Sequence, residues 1–215
     1  PPLPLTLRLQ GDKLNYRSAI ALFLAGKQSH FAPQIAAEII QDLHRQISPH
    51  FAQIHCSPPA WIEFTLTAHT VQNWLEEGLQ VIDSHSLTPP ETIHSFAQYV
   101  RDRCWQLLQL GIEENLIAFL RPTQQGQPLS FSLPSVLTKE DWQFLYQLIL
   151  TRDQLEKVSS NQKRKKLAYH LSIAFLHFHR HCQLFNRKQL NFHQLVTIRF
   201  CKIAITAQLL SSLED

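Results

Sequence analysis

The C-terminal half of the chain repeats apolar residues at three- and four-residue steps, which is the spacing of amphipathic helices. The segment 121–135 (RPTQQGQPLSFSLPS) interrupts this pattern with Pro and Gly. The pattern predicts helices over residues 91–119, 138–156, 162–184 and 190–213. We therefore predict an all-α helical-bundle domain over residues 91–215.

The N-terminal half mixes two periods. Residues 61–66 (WIEFTL) alternate apolar and polar side chains, which is typical of a half-buried strand. Further strands are predicted at 6–9 and 51–56, and helices at 15–27, 33–47 and 71–82. This mixture predicts an α+β domain over residues 1–83, joined by a linker at 84–90 to the helical domain.

Size and composition indicate a globular protein. The chain has 215 residues, of which 44% are hydrophobic and 17% charged. No apolar run reaches the roughly 18 residues of a membrane span, and no charged stretch leads into an apolar one at the start, so we expect neither a span nor a signal peptide. Cys56, Cys104, Cys182 and Cys201 form no C-x-x-C pair, so we expect buried thiols and a cytoplasmic location.

Charge is distributed unevenly along the chain. Residues 1–110 carry seven Lys or Arg and nine Asp or Glu, whereas residues 111–215 carry thirteen and eight. From Lys157 to Leu213 there are ten basic residues and no acidic one. This asymmetry favours a polyanion partner for the C-terminal half, and an ordinary solvated basic face is the alternative.

Motifs of catalysis are missing from the sequence. It has no P-loop, no G-x-G-x-x-G and no G-x-S-x-G. Acidic pairs such as Glu113–Glu114 are adjacent on a helix, so their side chains point about 100° apart and do not converge. We therefore expect no enzyme activity and no cofactor.

Four histidines fall in the segment 167–185. On a helix, His170, His177 and His181 lie on one flank of the apolar stripe, and the last two have the i, i+4 spacing that lets two imidazoles share a zinc ion. The Glu of an H-E-x-x-H motif is missing, and no cysteine pair has ligand spacing. We favour a core helix with a titratable border over a metal site, and a metal-dependent activity stays the weakest alternative.

Three C-terminal segments together resemble the DALR-type anticodon-binding domain of arginyl-tRNA synthetases. Residues 98–108 (QYVRDRCWQLL) resemble the helix that opens it, residues 171–185 a later helix, and residues 199–210 (RFCKIAITAQLL) the final one. The residues that fit are Gln98, Tyr99, Arg103, Leu108, Phe175, Phe178, Cys182, Arg199 and Thr206.

The N-terminal half is similar to the other tRNA-binding domain of these synthetases. Residues 14–26 and 33–43 resemble its two helices, and residues 58–66 (PPAWIEFTL) resemble a strand whose aromatic residue and Asn contact the tRNA D loop. Trp61 keeps the aromatic residue. Glu63 replaces the Asn, and an ionised carboxylate cannot donate a hydrogen bond and repels phosphate.

The catalytic domain of the synthetases has no counterpart here. In the family it lies between the two tRNA-binding domains, whereas about eight residues join them in this chain, far fewer than the roughly 30 of a single βαβ unit. The His-x-Gly-His signature is also missing. Aminoacylation is therefore excluded.

The first hypothesis from the sequence is a non-catalytic protein that binds tRNA or another structured RNA. The cations expected to meet phosphates are Lys163, Arg164, Lys165, Lys166, Arg180, Arg187, Lys188, Arg199 and Lys202. The aromatic residues expected to stack on bases are Tyr99, Trp61 and Phe185. The alternative is a protein–protein interaction module, a subunit or adaptor of a larger assembly, which an exposed Trp74, Trp105 or Trp142 would favour.

Overall fold

The computed structural model describes residues 4–28, 31–80, 95–117, 137–186 and 191–214. They form two compact units, Pro1–Val71 and Gln72–Asp215. The first unit is α+β and the second is helical, so the predicted fold class is confirmed.

The first unit holds a four-stranded antiparallel sheet in the order β1-β2-β4-β3. Its strands are β1 (Leu5–Gln10), β2 (Lys13–Ser18), β3 (Ala52–Ser57) and β4 (Trp61–Leu66), and its helices are α1 (Ile20–Gln28) and α2 (Ala32–Gln46). Alternate strand residues, Ile54, Ile62 and Phe64, pack with Ala21 and Ala36 of the two helices in one core. The period-two pattern of β4 is thus confirmed, and its other side chains line the opposite face of the sheet.

The structure corrects the helix predicted over residues 15–27. Residues 13–18 form a strand instead, and the pairing of Gln10 with Lys13 leaves a two-residue turn. Gly11 begins that turn with a φ of +63°, which glycine adopts without steric cost. A Gly-Asp pair between two alternating segments is a known hairpin signal, and it identifies the strand that periodicity alone missed.

Helix α3 (Ala68–Gln80) follows β4. Its C-terminal half belongs to the second unit, where a Cβ added to Gly78 would lie 2.8 Å from Cδ1 of Ile205. A larger residue at position 78 would therefore force the Ile205 side chain to shift. The division between the units falls inside α3, upstream of the boundary predicted after residue 83, and the predicted linker at 84–90 lies outside the described residues.

The second unit continues with α4 (Phe96–Glu113), α5 (Lys139–Leu155), α6 (Asn161–His181) and α7 (Phe192–Glu214). Ser95 has an extended backbone and caps α4, so the helix predicted from residue 91 does not run through residue 95. The predicted end at 119 is also wrong, because Asn115 takes a left-handed φ of 55° that few residues other than Gly and Asn accept.

Helix α7 is the centre of the second unit and packs against α4, α5 and α6. By length and composition it is the one described helix apolar enough to cross a membrane, but 78% of its apolar window is buried inside the protein. A core helix passes the same criteria, so this is weak evidence for a span. The four cysteines are free; Cys104, Cys182 and Cys201 are buried as expected, whereas Cys56 on the edge strand β3 is exposed.

Candidate nucleic-acid interface

Helix α6 has one buried side and one exposed side. Leu167, Leu171, Phe175 and Phe178 point into the core, as the apolar stripe predicts. The opposite side of the helix is exposed from Gln162 to Arg180, about 27 Å at 1.5 Å per residue. We call this surface the α6 face, and its residues are Gln162, Lys163, Lys166, Tyr169, His170, Ile173, His177, Arg180 and His181. The sequence of α6 contains no Asp or Glu, so the helix gives this face no negative charge.

The N-terminus of α6 lacks the capping box that α4 and α5 have. Helices α4 and α5 each close a capping box, between Ser95 and Gln98 and between Thr138 and Asp141. Ser160 caps α6 without a side-chain hydrogen bond, and the position three residues later is Lys163, which has no acceptor. A cation in the first turn also opposes the helix dipole, at a cost of about 0.3–1 kcal/mol. Local rules broken without compensation in the fold are typical of functional sites.

The cations of this helix start are available to a ligand. Lys163, Lys165 and Lys166 are exposed and Arg164 is half-buried. None of the four forms an ion pair with another described residue. The free backbone N–H groups of the first turn add to their positive potential, as in other anion-binding helix starts.

Exposed aromatic side chains lie beside these cations. Tyr169 is 55% exposed, and its ring centroid lies 5.8 Å from that of Phe96 on α4. Tyr99, which the sequence predicted as a stacking residue, is 49% exposed and follows Phe96 by three residues on the same helix. Apolar rings this exposed next to unpaired cations fit the chemistry of unstacked bases on a phosphate backbone.

A groove of about 500 Å³ runs between α5 and α6. Tyr169, His170 and His177 form part of its α6 wall, and Glu140 and Gln143 part of its α5 wall. The pKa of Glu140 is lowered, first by a hydrogen bond to its own backbone and also by Thr138 and the histidines across the groove. Its carboxylate therefore places a negative charge within electrostatic reach of two histidines of the α6 face.

Two histidines of α6 contact each other directly. The His177 and His181 rings stack with centroids 4.2 Å apart, and His181 Nδ1 lies 2.8 Å from the His177 carbonyl oxygen. Among the described residues, no three His, Cys, Asp or Glu side chains are grouped to hold a metal ion. His179 lies on the other flank, where burial and then the charge of Arg103 lower its pKa.

The prediction that Arg199 and Lys202 contact RNA is wrong, because both side chains are buried. Arg199 is 1% exposed and Lys202 is fully buried in α7. Arg199 Nη2 donates to Asp141 Oδ2 at 2.9 Å and its Nη1 to the Gln183 carbonyl at 3.0 Å, while Lys202 Nζ is bonded to Asp141 Oδ1. Burial alone would raise the pKa of Asp141, but Lys202 and Arg199 outweigh burial and hold it well below its ordinary value. These cations neutralise a buried carboxylate and cannot reach a phosphate.

Arg180 in the last turn of α6 and Phe185, four residues after the end of that helix, are exposed as the RNA hypothesis requires. Both line a second groove of about 440 Å³ with Gln183. Arg187 and Lys188, the other cations predicted in this region, lie outside the described residues.

Trp61 belongs to the first unit and lies on the sheet face opposite the core. The Arg17 guanidinium lies 4.1 Å from the centre of its ring, so one face of the ring is already stacked. The neighbouring Glu63 carboxylate accepts from Ser57 Oγ at 2.6 Å and pairs with Arg17 and His55, each at 3.2 Å. Glu63 is thus neutralised within the sheet, and a base reaches this face of Trp61 only by displacing Arg17.

The structure therefore brings together part of the predicted set. The run 163–166, Arg180 and Tyr99 lie on the exposed surface of the second unit. Sequence reasoning missed Tyr169, Ile173 and Phe96. The signal for the first two was present, because an aromatic and a β-branched residue stand on the polar side of an otherwise regular helical pattern.

Comparison with known proteins adds no family to this picture. No protein-family model matches the chain, and no curated protein or solved structure is detectably similar to it.

Proposed function

We propose that this chain is a non-catalytic RNA-binding protein whose ligand is tRNA or another structured RNA. The observation that carries the proposal is the α6 face. Cations, histidines and exposed rings follow one another along about 27 Å of helix that carries no carboxylate. A polyanion with unstacked bases is the ligand class that fits this combination.

The cations and the aromatic rings on this surface contribute to binding in different ways. Lys163, Lys166 and Arg180 neutralise backbone phosphates and release counterions, which supplies affinity without sequence preference. Tyr169 and Tyr99 offer ring surface to bases in loops or at ends, where RNA bases are accessible. The resemblance of both halves of the sequence to tRNA-binding domains supports the choice of tRNA as the first ligand to test.

A protein partner is the competing function. Its expected signature, a well-exposed tryptophan anchor, is not seen: Trp74, Trp105 and Trp142 are all half-buried. The charge of the α6 face also differs from the centre of a protein interface, which is normally depleted of lysine.

The test is a gel-shift titration with total tRNA at about 50 and about 200 mM salt. If four phosphates are neutralised, the affinity of the wild-type chain falls about 50- to 150-fold between these conditions. The double variant Lys163→Glu/Lys166→Glu should bind all tRNAs at least about tenfold more weakly at the lower salt.

The matched control is Lys27→Glu/Arg45→Glu. It changes the net charge of the chain by the same amount at two exposed positions of the first unit. This control should bind within about twofold of wild type. Equal binding by wild type and Lys163→Glu/Lys166→Glu would remove the α6 face from the interface, and a stoichiometric protein without RNA in a pull-down would favour the protein partner.

A further inference from the structure

The stacked pair His177 and His181 has a defined hydrogen-bonding state. A carbonyl oxygen only accepts, so His181 Nδ1, at 2.8 Å from the His177 oxygen, carries a hydrogen. The free nitrogen of His181 is therefore Nε2, which takes up the proton when the ring becomes charged. Both residues are exposed on the α6 face.

Few charged groups act on this pair. On its own helix, Arg180 is next to His181, and His170 and Lys166 stand about two and three turns before His177 on the same face. From α5, the Glu140 carboxylate interacts with both rings across the groove. Glu140 is thus a carboxylate whose charge acts on the pair from the neighbouring helix.

The other neighbouring helices direct their charges elsewhere. Arg103 of α4 acts on His179, on the opposite flank of α6. The α7 cations, Arg199 and Lys202, are buried and held by Asp141. An anion that approaches the α6 face therefore meets the histidine pair with two flanking cations and one carboxylate.

At a centroid distance of 4.2 Å, two positively charged rings repel each other by about 1 kcal/mol at the dielectric constant of water. A phosphodiester oxygen placed against both Nε2–H groups relieves this repulsion. Binding of the anion and uptake of the proton consequently favour each other.

We infer that His177 and His181 form a phosphate-binding pair that takes up a proton when RNA binds, so the affinity of the α6 face for RNA rises as the pH falls. This inference rests on the proposed function and adds a site and a proton linkage to it. Histidine is the side chain whose charge ordinarily changes between about pH 5 and 8. The slope of log affinity against pH equals the number of protons taken up, so uptake of up to one proton per bound RNA gives at most about a tenfold rise in affinity per pH unit.

The experiment is a titration of the full chain with total tRNA in the presence of EDTA, at several values between about pH 6 and about pH 8. The test variant is His177→Gln/His181→Gln, which keeps two polar side chains of similar size without the titration. The control is His44→Gln/His50→Gln, because both histidines lie on the surface of the first unit. Circular dichroism at each pH checks that the helices are intact.

Wild type and the His44/His50 control should gain several-fold in affinity per unit of falling pH, up to about tenfold where one full proton is taken up. The His177/His181 variant should match wild type within about twofold at the highest pH and lose most of the gain. A wild-type affinity that is measurable but independent of pH, or a variant that keeps the full slope, overturns the proton linkage alone. Failure of wild type to bind tRNA at any pH overturns the proposed function together with it.

Discussion

Lys163→Glu is expected to make the protein more stable and a weaker RNA binder. Lys163 occupies the third position of α6, where α4 has Gln98 and α5 has Asp141. Both of those side chains accept a hydrogen bond from the backbone N–H of the capping residue, at 2.9 and 3.3 Å. A glutamate at position 163 would supply the missing acceptor for the Ser160 N–H, and the capping box closes when the Ser160 side chain turns to accept from the N–H of residue 163.

The size of the stabilisation follows from two terms. Removing the lysine relieves an unfavourable interaction with the helix dipole of about 0.3–1 kcal/mol, and the glutamate adds a favourable interaction of about the same size. Completing the cap adds about 0.5–2 kcal/mol, and the new carboxylate also faces Lys166 at i, i+3. Allowing for partial overlap, we expect a gain of about 1–2 kcal/mol, or about 2–8 °C in Tm for a chain of this length.

Thermal denaturation followed by circular dichroism measures the stability, and the tRNA gel shift measures binding on the same preparation. Lys163→Ala is the control, because it removes the dipole conflict without supplying an acceptor, and its gain should be smaller. A glutamate variant that is less stable than wild type refutes the structural reasoning about the cap. A stabilised variant that binds tRNA as well as wild type refutes the idea that RNA explains the lysine.

Three further predictions concern the core and the aromatic surface. Asp141→Asn leaves Arg199 and Lys202 buried without a counter-charge and should lower the free energy of unfolding, measured by urea denaturation, by about 3–5 kcal/mol. Lys202→Met leaves the neutral pair of Asp141 and Arg199 and should cost far less, so equal losses for the two variants would contradict this reasoning. Because the folded pKa of Asp141 is lowered, its stabilisation is complete above about pH 4 and is lost as the pH falls further, so Asp141→Asn should flatten the acid limb of a stability–pH curve. Tyr169→Ala should weaken RNA binding by about 1–3 kcal/mol in the gel shift while Tyr169→Phe retains it, and equal affinities for the two variants would show that the ring does not stack.

Sequence patterns predicted the helices and strands well where only one face of the helix or strand is buried. β4, α2 and α6 each have one apolar face, so their periods are clear and their positions are confirmed within one to three residues. β2 was missed because its six residues are too few to separate a period of 2 from one of 3.6 next to the apolar helix α1.

Residue type could not distinguish inner from outer cations. Arg199 and Lys202 belong to the same acid-free basic stretch as Lys163. Their carboxylate partner Asp141 lies 58 and 61 residues earlier in the chain. A pairing over such a separation appears only in the fold. The informative clue was local: α7 is apolar on all sides, and a helix of that kind is buried together with its charges.

Ultraviolet cross-linking of the full chain to tRNA, followed by mass spectrometry of the linked peptides, tests the location of the interface directly. We expect cross-links at α6, with Tyr169 among the linked residues and Tyr99 of α4 as a second site. Cross-links confined to the first unit, or none above the level of a protein without RNA affinity, would contradict this expectation.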